Sequence, residues 1–181
     1  CILPREDKTR GQLMTEAMDF LRECAGDALI LGCGVPLGAA FGRVDYCRIG
    51  CDVSLSWDDA PYMRLTHRER VSTKNTVLNS VFRRQLSGRA FINDPDVYIL
   101  RRERNTLSKE QKKCLSEINA AAGGVLFTSD NAAGYSQEQL DMLEGMMKLR
   151  DAKIVSAALY GRLLHIEYSL GGEIIRRMYR V

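Results

Sequence analysis

The sequence predicts an α/β chain in which parallel strands are joined by helical crossovers and a small antiparallel β unit follows. Three observations predict it. Short apolar runs with strand character alternate with amphipathic helical segments from residue 12 to about residue 149. From about residue 152 the period changes to that of strands, and the pair Gly171-Gly172 separates two of them. The composition, 45% hydrophobic and 27% charged, is ordinary for a globular chain and supplies one sizeable core with room for a second, smaller lobe.

The elements follow in order. QLMTEAMDFLRECA, 12–25, sets Leu13, Ala17, Phe20, Leu21 and Cys24 on one helical face, and Thr9 with Gln12 forms a capping-box pattern before it. DALILGCG, 27–34, is continuously apolar, which suits a strand buried on both faces. YCRIGCDV, 46–53, alternates: Cys47, Ile49, Cys51 and Val53 face one way, Tyr46, Arg48, Gly50 and Asp52 the other. A helix is expected over about 67–86, then a strand at RAFIND, 89–94. Ser108 and Gln111 cap a helix over about 109–121, GGVLFTSD, 123–130, is a strand, and Ser136 and Gln139 cap a last helix reaching about Leu149. Such alternation means parallel strands with right-handed crossovers. KIVSAALY, RLLHIEYSL and EIIRRMYRV then read as hairpin strands.

Charge and cysteine usage narrow the function classes. With 26 basic and 23 acidic residues, a net charge of +3 gives no footprint for nucleic acid. Apolar runs are too short to cross a bilayer, and none resembles a secretory core. The chain begins at Cys1 rather than Met, so a targeting segment is expected to have been lost if one existed. Six cysteines without a CxxC, and two histidines (His67 and His165), exclude the usual zinc patterns. Reduced, mostly buried thiols and a cytoplasmic location are expected.

The polar residues fall in a pattern. Each parallel strand ends in residues that suit a core poorly: Gly32-Cys33-Gly34, Arg48 with Asp52, Asn93-Asp94-Pro95-Asp96, and Ser129-Asp130-Asn131. Carboxyl ends of parallel strands lie at one rim, where α/β folds bind ligands. No nucleophile–histidine pairing stands out, and GCGVPLG has neither dinucleotide-loop spacing nor a phosphate-loop lysine. Carboxylates without metal ligands suit acid–base work on a neutral, hydroxyl-rich ligand, glycoside cleavage being the leading example.

GCGVPLGAAFGRVDYCRIGCDVSLSW, NDPDVYILR and SDN together resemble the family 36 glycoside hydrolases, the α-galactosidases or melibiases. The resemblance is strong over about residues 10–150 and weak in the tail. It implies the second half of a TIM (β/α)8 barrel over residues 1–151 and the start of a C-terminal β-sandwich-like domain over 152–181. It implies retaining hydrolysis of terminal α-linked galactose, as in melibiose or raffinose-type sugars, with no cofactor and no metal. The family's Arg-x-x-x-Asp element falls on Arg48 and Asp52, making Asp52 the general acid/base and Arg48 a sugar-holding residue. Residues i and i+4 of a strand share a face, so both would point into the barrel mouth. Cys33 and Gly34 match the sugar-contacting loop, Asp96 the pocket aspartate of NDPD, and Trp57 an apolar wall. The family's nucleophile element, Lys-x-Asp-Phe, has no counterpart here. The expectation is therefore a C-terminal fragment, inactive alone, of an enzyme that is a homo-oligomer when whole. Half a barrel would also leave two open sheet edges. The rival readings are an α-N-acetylgalactosaminidase or galactosyl transferase of the same superfamily, and a non-catalytic carbohydrate-binding fragment.

Most of these residues also have a purely structural reading. Asp52 could cap a helix, Cys33 could fill a small buried space, and Asp94 and Asp96 could shape the turn at Pro95. Trp57 could be loop packing, and Ser129 to Asn131 a loop opening. Arg64, Arg68, Arg70, Lys74, Arg83 and Arg84 read as a solvated helix face, Arg101, Arg102 and Arg104 as loop charges, and the histidines as surface groups.

Overall fold

The computed structural model describes residues 7–59, 62–66 and 71–181. Helix α1 (Arg10–Ala25) begins with the capping box in place. Thr9 N–H donates to Gln12 Oε1 at 2.8 Å, and Gln12 N–H returns to Thr9 Oγ1 at 3.2 Å. Strand β1 (Leu31–Gly32), a helical turn α2 (Leu37–Ala40) and strand β2 (Tyr46–Arg48) follow. After a helical turn α3 (Met63–Thr66) come helix α4 (Thr73–Phe82) and strands β3 (Ile92–Asp94) and β4 (Val97–Tyr98). Helix α5 (Lys109–Ala122), strand β5 (Phe127–Thr128) and helix α6 (Gln137–Met147) complete the alternating part. Both expected capping boxes are present, on Ser108 and Ser136. The helix expected over about 67–86 is shorter: Ser72, in extended backbone, caps it, so it starts at Thr73 and ends at Phe82, with a 3-10 turn over Arg84–Leu86 after it. Residues 67–70, which include His67, Arg68 and Arg70, lie outside the described residues, as does Cys1.

The sheet is parallel, as the alternation requires. β1, β2 and β3 are neighbours in sequence order, with Gly32 opposite Cys47 and Arg48 opposite Asp94. β4 pairs with β5. Between β3 and β4 the chain breaks at Pro95 and Asp96, whose φ is +71°. Gly124 bridges the break: its N–H donates to Asn93 O at 2.8 Å, and its missing Cβ leaves room for Ile92. A side chain at 124 would come within 1.9 Å of Ile92 Cγ2.

The last three strands, β6 (Lys153–Tyr160), β7 (Leu163–Leu170) and β8 (Glu173–Arg180), form an antiparallel meander. Its second turn is the glycine pair, Gly171 and Gly172 both having positive φ. The meander packs on α4 and α5. Leu164, Ile166 and Tyr168 join Val77, Val81, Leu115, Ile118 and Met146 in one core. A polar chain threads this contact: Tyr168 and Tyr179 share a hydrogen bond of 3.0 Å, and Tyr179 donates to Glu117 Oε2 at 2.6 Å.

Four other expectations change. The DALILGCG strand is not buried on both faces. It pairs only as Leu31–Gly32 at the sheet edge, where Leu29 is 72% exposed, because among the described residues nothing covers its outer side. The apolar face read on α1 is also open. The helix docks through Met18, whereas Phe20 is 66% exposed. Among the described residues the thiols are free, but Cys24 and Cys33 are exposed and only Cys47 and Cys114 are buried. The basic residues of α4 and the turn after it do not form a free face. Lys74 pairs with Asp58 at 2.6 Å, Arg83 donates to Ile49 O, and Arg84 to Ile154 O at 3.2 Å.

Candidate functional site

The alternation of YCRIGCDV decides where its polar residues go. Cys47 and Ile49 enter the core under α1 and α2, so Arg48 must project from the opposite face. Its neighbour across the register is Asp94, wholly buried at the end of β3. Arg48 Nε donates to Asp94 Oδ2 at 2.8 Å, and Nη1 meets Asp96 Oδ1 at 2.9 Å and Asp52 Oδ1 at 3.1 Å. One guanidinium therefore gathers three carboxylates from the carboxyl ends of two adjacent parallel strands. Burial works against the charged form of Arg48, but the hydrogen bond to Asp94 and the charges of Asp96 and Asp94 outweigh it and hold its pKa above the usual arginine value.

The three carboxylates are not equivalent. Asp94 also accepts the Asp96 N–H at 2.8 Å, an aspartate turn that sets the backbone at Pro95. Asp96 lies beneath Arg48 and accepts the Val53 N–H at 2.6 Å with its other oxygen. Burial raises its pKa above the ordinary aspartate value, against the pull of the Val53 N–H and of Arg48. Asp52 differs: its side chain is 67% exposed and, among the described residues, is held only by the guanidinium. It caps no helix, since Ser72 caps α4.

Above this cluster opens a cleft of about 770 Å³. Cys33 and Gly34 from the end of β1, Arg48, Asp52, and Asn75 and Asn79 from α4 line it. Gly34 holds φ at +76°, a backbone that glycine adopts freely. Cys33 is on the cleft surface rather than in a buried niche. Below it, burial and the charge of Asp94 push the Cys47 thiol up to about 11, so Cys47 stays neutral. Asp96 is the floor of the cluster and not part of the cleft wall. Trp57 is not brought into this cleft. It packs half-buried against the core beside Leu78 and lines a separate cleft of about 730 Å³ with Asp58, Lys74 and Arg162.

Asp130 also turns inward, as a strut. It accepts N–H bonds from Leu100 at 2.6 Å and Arg101 at 2.8 Å, the Arg101 guanidinium at 2.6 Å and the Tyr135 hydroxyl at 2.8 Å. Burial raises its pKa, but these donors together hold it below the ordinary value. The loop reading of Ser129 to Asn131 thus describes a clamp on the end of β4. Sequence reasoning missed the buried Arg48–Asp94 bond and the two asparagines. The register of β2 against β3 supplies the first, and the i, i+4 spacing of Asn75 and Asn79 on one helix face was the available signal for the second. Among the described residues no three His, Cys, Asp or Glu side chains cluster as metal ligands, and no helix is long and apolar enough to cross a membrane.

No protein-family model matches the chain. Solved structures do. The α-galactosidase of Thermus thermophilus, in complex with p-nitrophenyl α-D-galactopyranoside, matches with a TM-score of 0.70 and 27% identity, over 89% of this chain and 32% of its own. The same enzyme in complex with stachyose matches at 31% identity and a TM-score of 0.63, over 74% of this chain and 29% of its own. α-Galactosidase I of Mortierella vinacea shares the fold at 14% identity, with a TM-score of 0.68 over 94% of this chain and 47% of its own. The chain thus spans about a third of the length of the Thermus enzyme. Parallel strands with crossovers, a terminal antiparallel sheet and a carboxylate-rich rim define an α/β chain with a polar cleft at its strand ends. Within that class its likeness is to the α-galactosidases, and the resemblance carried by the sequence motifs stands in three dimensions.

Proposed function

We propose that this chain is the acid/base-bearing part of a retaining α-galactosidase, made of the second half of a (β/α)8 barrel over 1–151 and the start of a C-terminal β domain over 152–181. The observation that carries the reading is the Arg48 cluster: an exposed carboxylate, Asp52, held by a cation that two buried carboxylates anchor. Such an arrangement fixes Arg48 in place and leaves the Asp52 carboxyl open to the cleft. In the proposed reaction Asp52 gives its proton to the glycosidic oxygen as the bond from that oxygen to C1 breaks. A second carboxylate, outside this chain, forms the ester to C1. Asp52, now ionised, takes a proton from the water that attacks C1, which breaks the ester, frees galactose, returns Asp52 to its acid form and releases the second group as a carboxylate. Arg48, Cys33 and Gly34 hold the sugar, and Asp94 and Asp96 hold Arg48.

The retaining geometry needs two carboxyl groups about 5–5.5 Å apart. The test compares residues 1–181 with a chain extended upstream through the barrel half that would carry the nucleophile. The extended chain is expected to hydrolyse p-nitrophenyl α-galactoside and melibiose, and residues 1–181 neither. In the extended chain Asp52→Ala is expected to slow melibiose turnover by roughly 10²–10⁴-fold. Azide should then restore turnover of the p-nitrophenyl substrate and yield α-galactosyl azide. Activity in residues 1–181 alone, or full melibiose turnover by Asp52→Ala, would overturn the reading.

A further inference from the structure

Helix α4 carries an unusual number of polar residues on its inner faces, and nearly all are spoken for. Ser72 Oγ, at its cap, donates to Asp58 at 2.8 Å, Thr73 to Ser54 O at 2.9 Å, Thr76 to Cys51 O at 2.7 Å and Ser80 to Thr76 O at 2.9 Å. Asn75 and Asn79 are the exceptions. Both are half-buried, both line the cleft, and neither side-chain amide has a hydrogen-bond partner among the described residues. Asparagine is a poor helix former, and its free amide competes with the helix backbone, so two of them one turn apart weaken α4 unless something else uses them.

The chain also spends a glycine on bringing them close. A Cβ at Gly50 would meet Asn79 Cβ and Thr76 Cα, each at 3.4 Å. Gly50 lies two residues from both Arg48 and Asp52, so α4 presses against the segment that carries the acid. The α4 side of the cleft therefore carries two neutral amides, each able to donate and to accept, beside Val71 and Leu78.

We propose that Asn75 and Asn79 recognise the leaving-group sugar of the substrate, the ring on the far side of the scissile oxygen. This rests on the α-galactosidase reading, because the group that protonates the leaving oxygen must lie beside the leaving group. Arg48, rooted in the buried cluster, takes the galactose side, and α4 takes the other. Neutral amides match the paired hydroxyls of a neutral sugar, and they would favour a glycosyl leaving group over an apolar one.

The test uses residues 1–181 with ¹⁵N-labelled backbone and asparagine side chains, titrated with galactose and with melibiose, whose leaving group is glucose. The Asn75 and Asn79 amide signals, assigned by their loss in Asn75→Leu and Asn79→Leu, are expected to shift with melibiose and not with galactose. Those of Asn105 and Asn131 should stay still with both. Each substitution should weaken melibiose roughly three- to tenfold while moving galactose by less than about twofold. Asn75→Ser and Asn79→Ser serve if the leucine variants misfold. Shifts at Cys33 and Gly34 with both sugars, but none at Asn75 or Asn79, would overturn this proposal and leave the α-galactosidase reading intact. If neither sugar moves any cleft signal, in residues 1–181 and equally in the upstream-extended chain carrying Asp52→Ala, the α-galactosidase reading falls, and this one with it.

Discussion

Replacing Arg48 by methionine removes the cation and keeps much of the side chain's volume. What it exposes depends on where each carboxylate sits. Asp52 is 67% exposed and loses a contact worth well under about 1 kcal/mol, since water replaces it. Asp94 is wholly buried and Asp96 nearly so, and both lose their charged partner. Removing one member of a buried ion pair costs about 3–5 kcal/mol, because the remaining charge is left uncompensated. The hydrogen bonds from Asp96 N–H to Asp94 and from Val53 N–H to Asp96 survive and keep the loss nearer the lower figure. We therefore expect Arg48→Met to lose about 3 kcal/mol at pH 7.5. The loss should depend on pH. The Asp96 pKa is raised by burial even with Arg48 present, and removing the cation raises it further. The folded state then binds this proton more tightly than the unfolded state. Stability relative to the native chain is thus recovered as pH falls toward the ordinary aspartate range and lost as pH rises through the folded pKa. Urea unfolding at pH 7.5 and pH 5, read as midpoint at constant slope, measures both. Adding Asp94→Asn and Asp96→Asn should restore part of the stability at pH 7.5. A loss below about 1 kcal/mol at pH 7.5, or one independent of pH, would refute an anchored cation at this site.

Other perturbations test the surrounding architecture. Tyr179→Phe leaves Glu117 and the Tyr168 hydroxyl without their shared partner, and urea unfolding should show a loss of about 1–3 kcal/mol. Asp130→Ala should cost about 3 kcal/mol, as it strips an ionised acceptor from four donors. Because its folded pKa is lowered, the stabilisation by Asp130 is present above the ordinary aspartate value and lost as pH falls through the folded one. Acid unfolding curves of the Asp130→Asn variant should therefore be flatter at low pH. Gly124→Ala drives a Cβ into Ile92 and should lower stability by about 1–3 kcal/mol in a thermal melt.

Periodicity and capping made much of the fold readable in advance. The Thr9, Ser108 and Ser136 boxes placed three helix starts closely, because a capping box is a local device whose donors and acceptors lie within four residues. Alternation in YCRIGCDV placed Arg48 and Asp52 on one face for the same reason. The exposure of Phe20 and Leu29 was not readable, since an apolar pattern states what a face would bury and not whether anything covers it.

For the candidate site the division is similar. Arg48, Asp52, Cys33 and Gly34 were nominated from strand ends and family likeness, and the structure brings all four to one cleft. Trp57, which the same likeness offers as an apolar wall, lies at another. The sequence by itself determined which residues share a strand face and where helices begin, because those relations are made by neighbours along the chain. Only the tertiary structure decided that Arg48 is bound to Asp94, that Asp96 lies under it while Asp52 stays open, and that α4 lends two amides to the cleft. Those relations join residues tens of positions apart, and their energies depend on burial, which strand register and helix packing create.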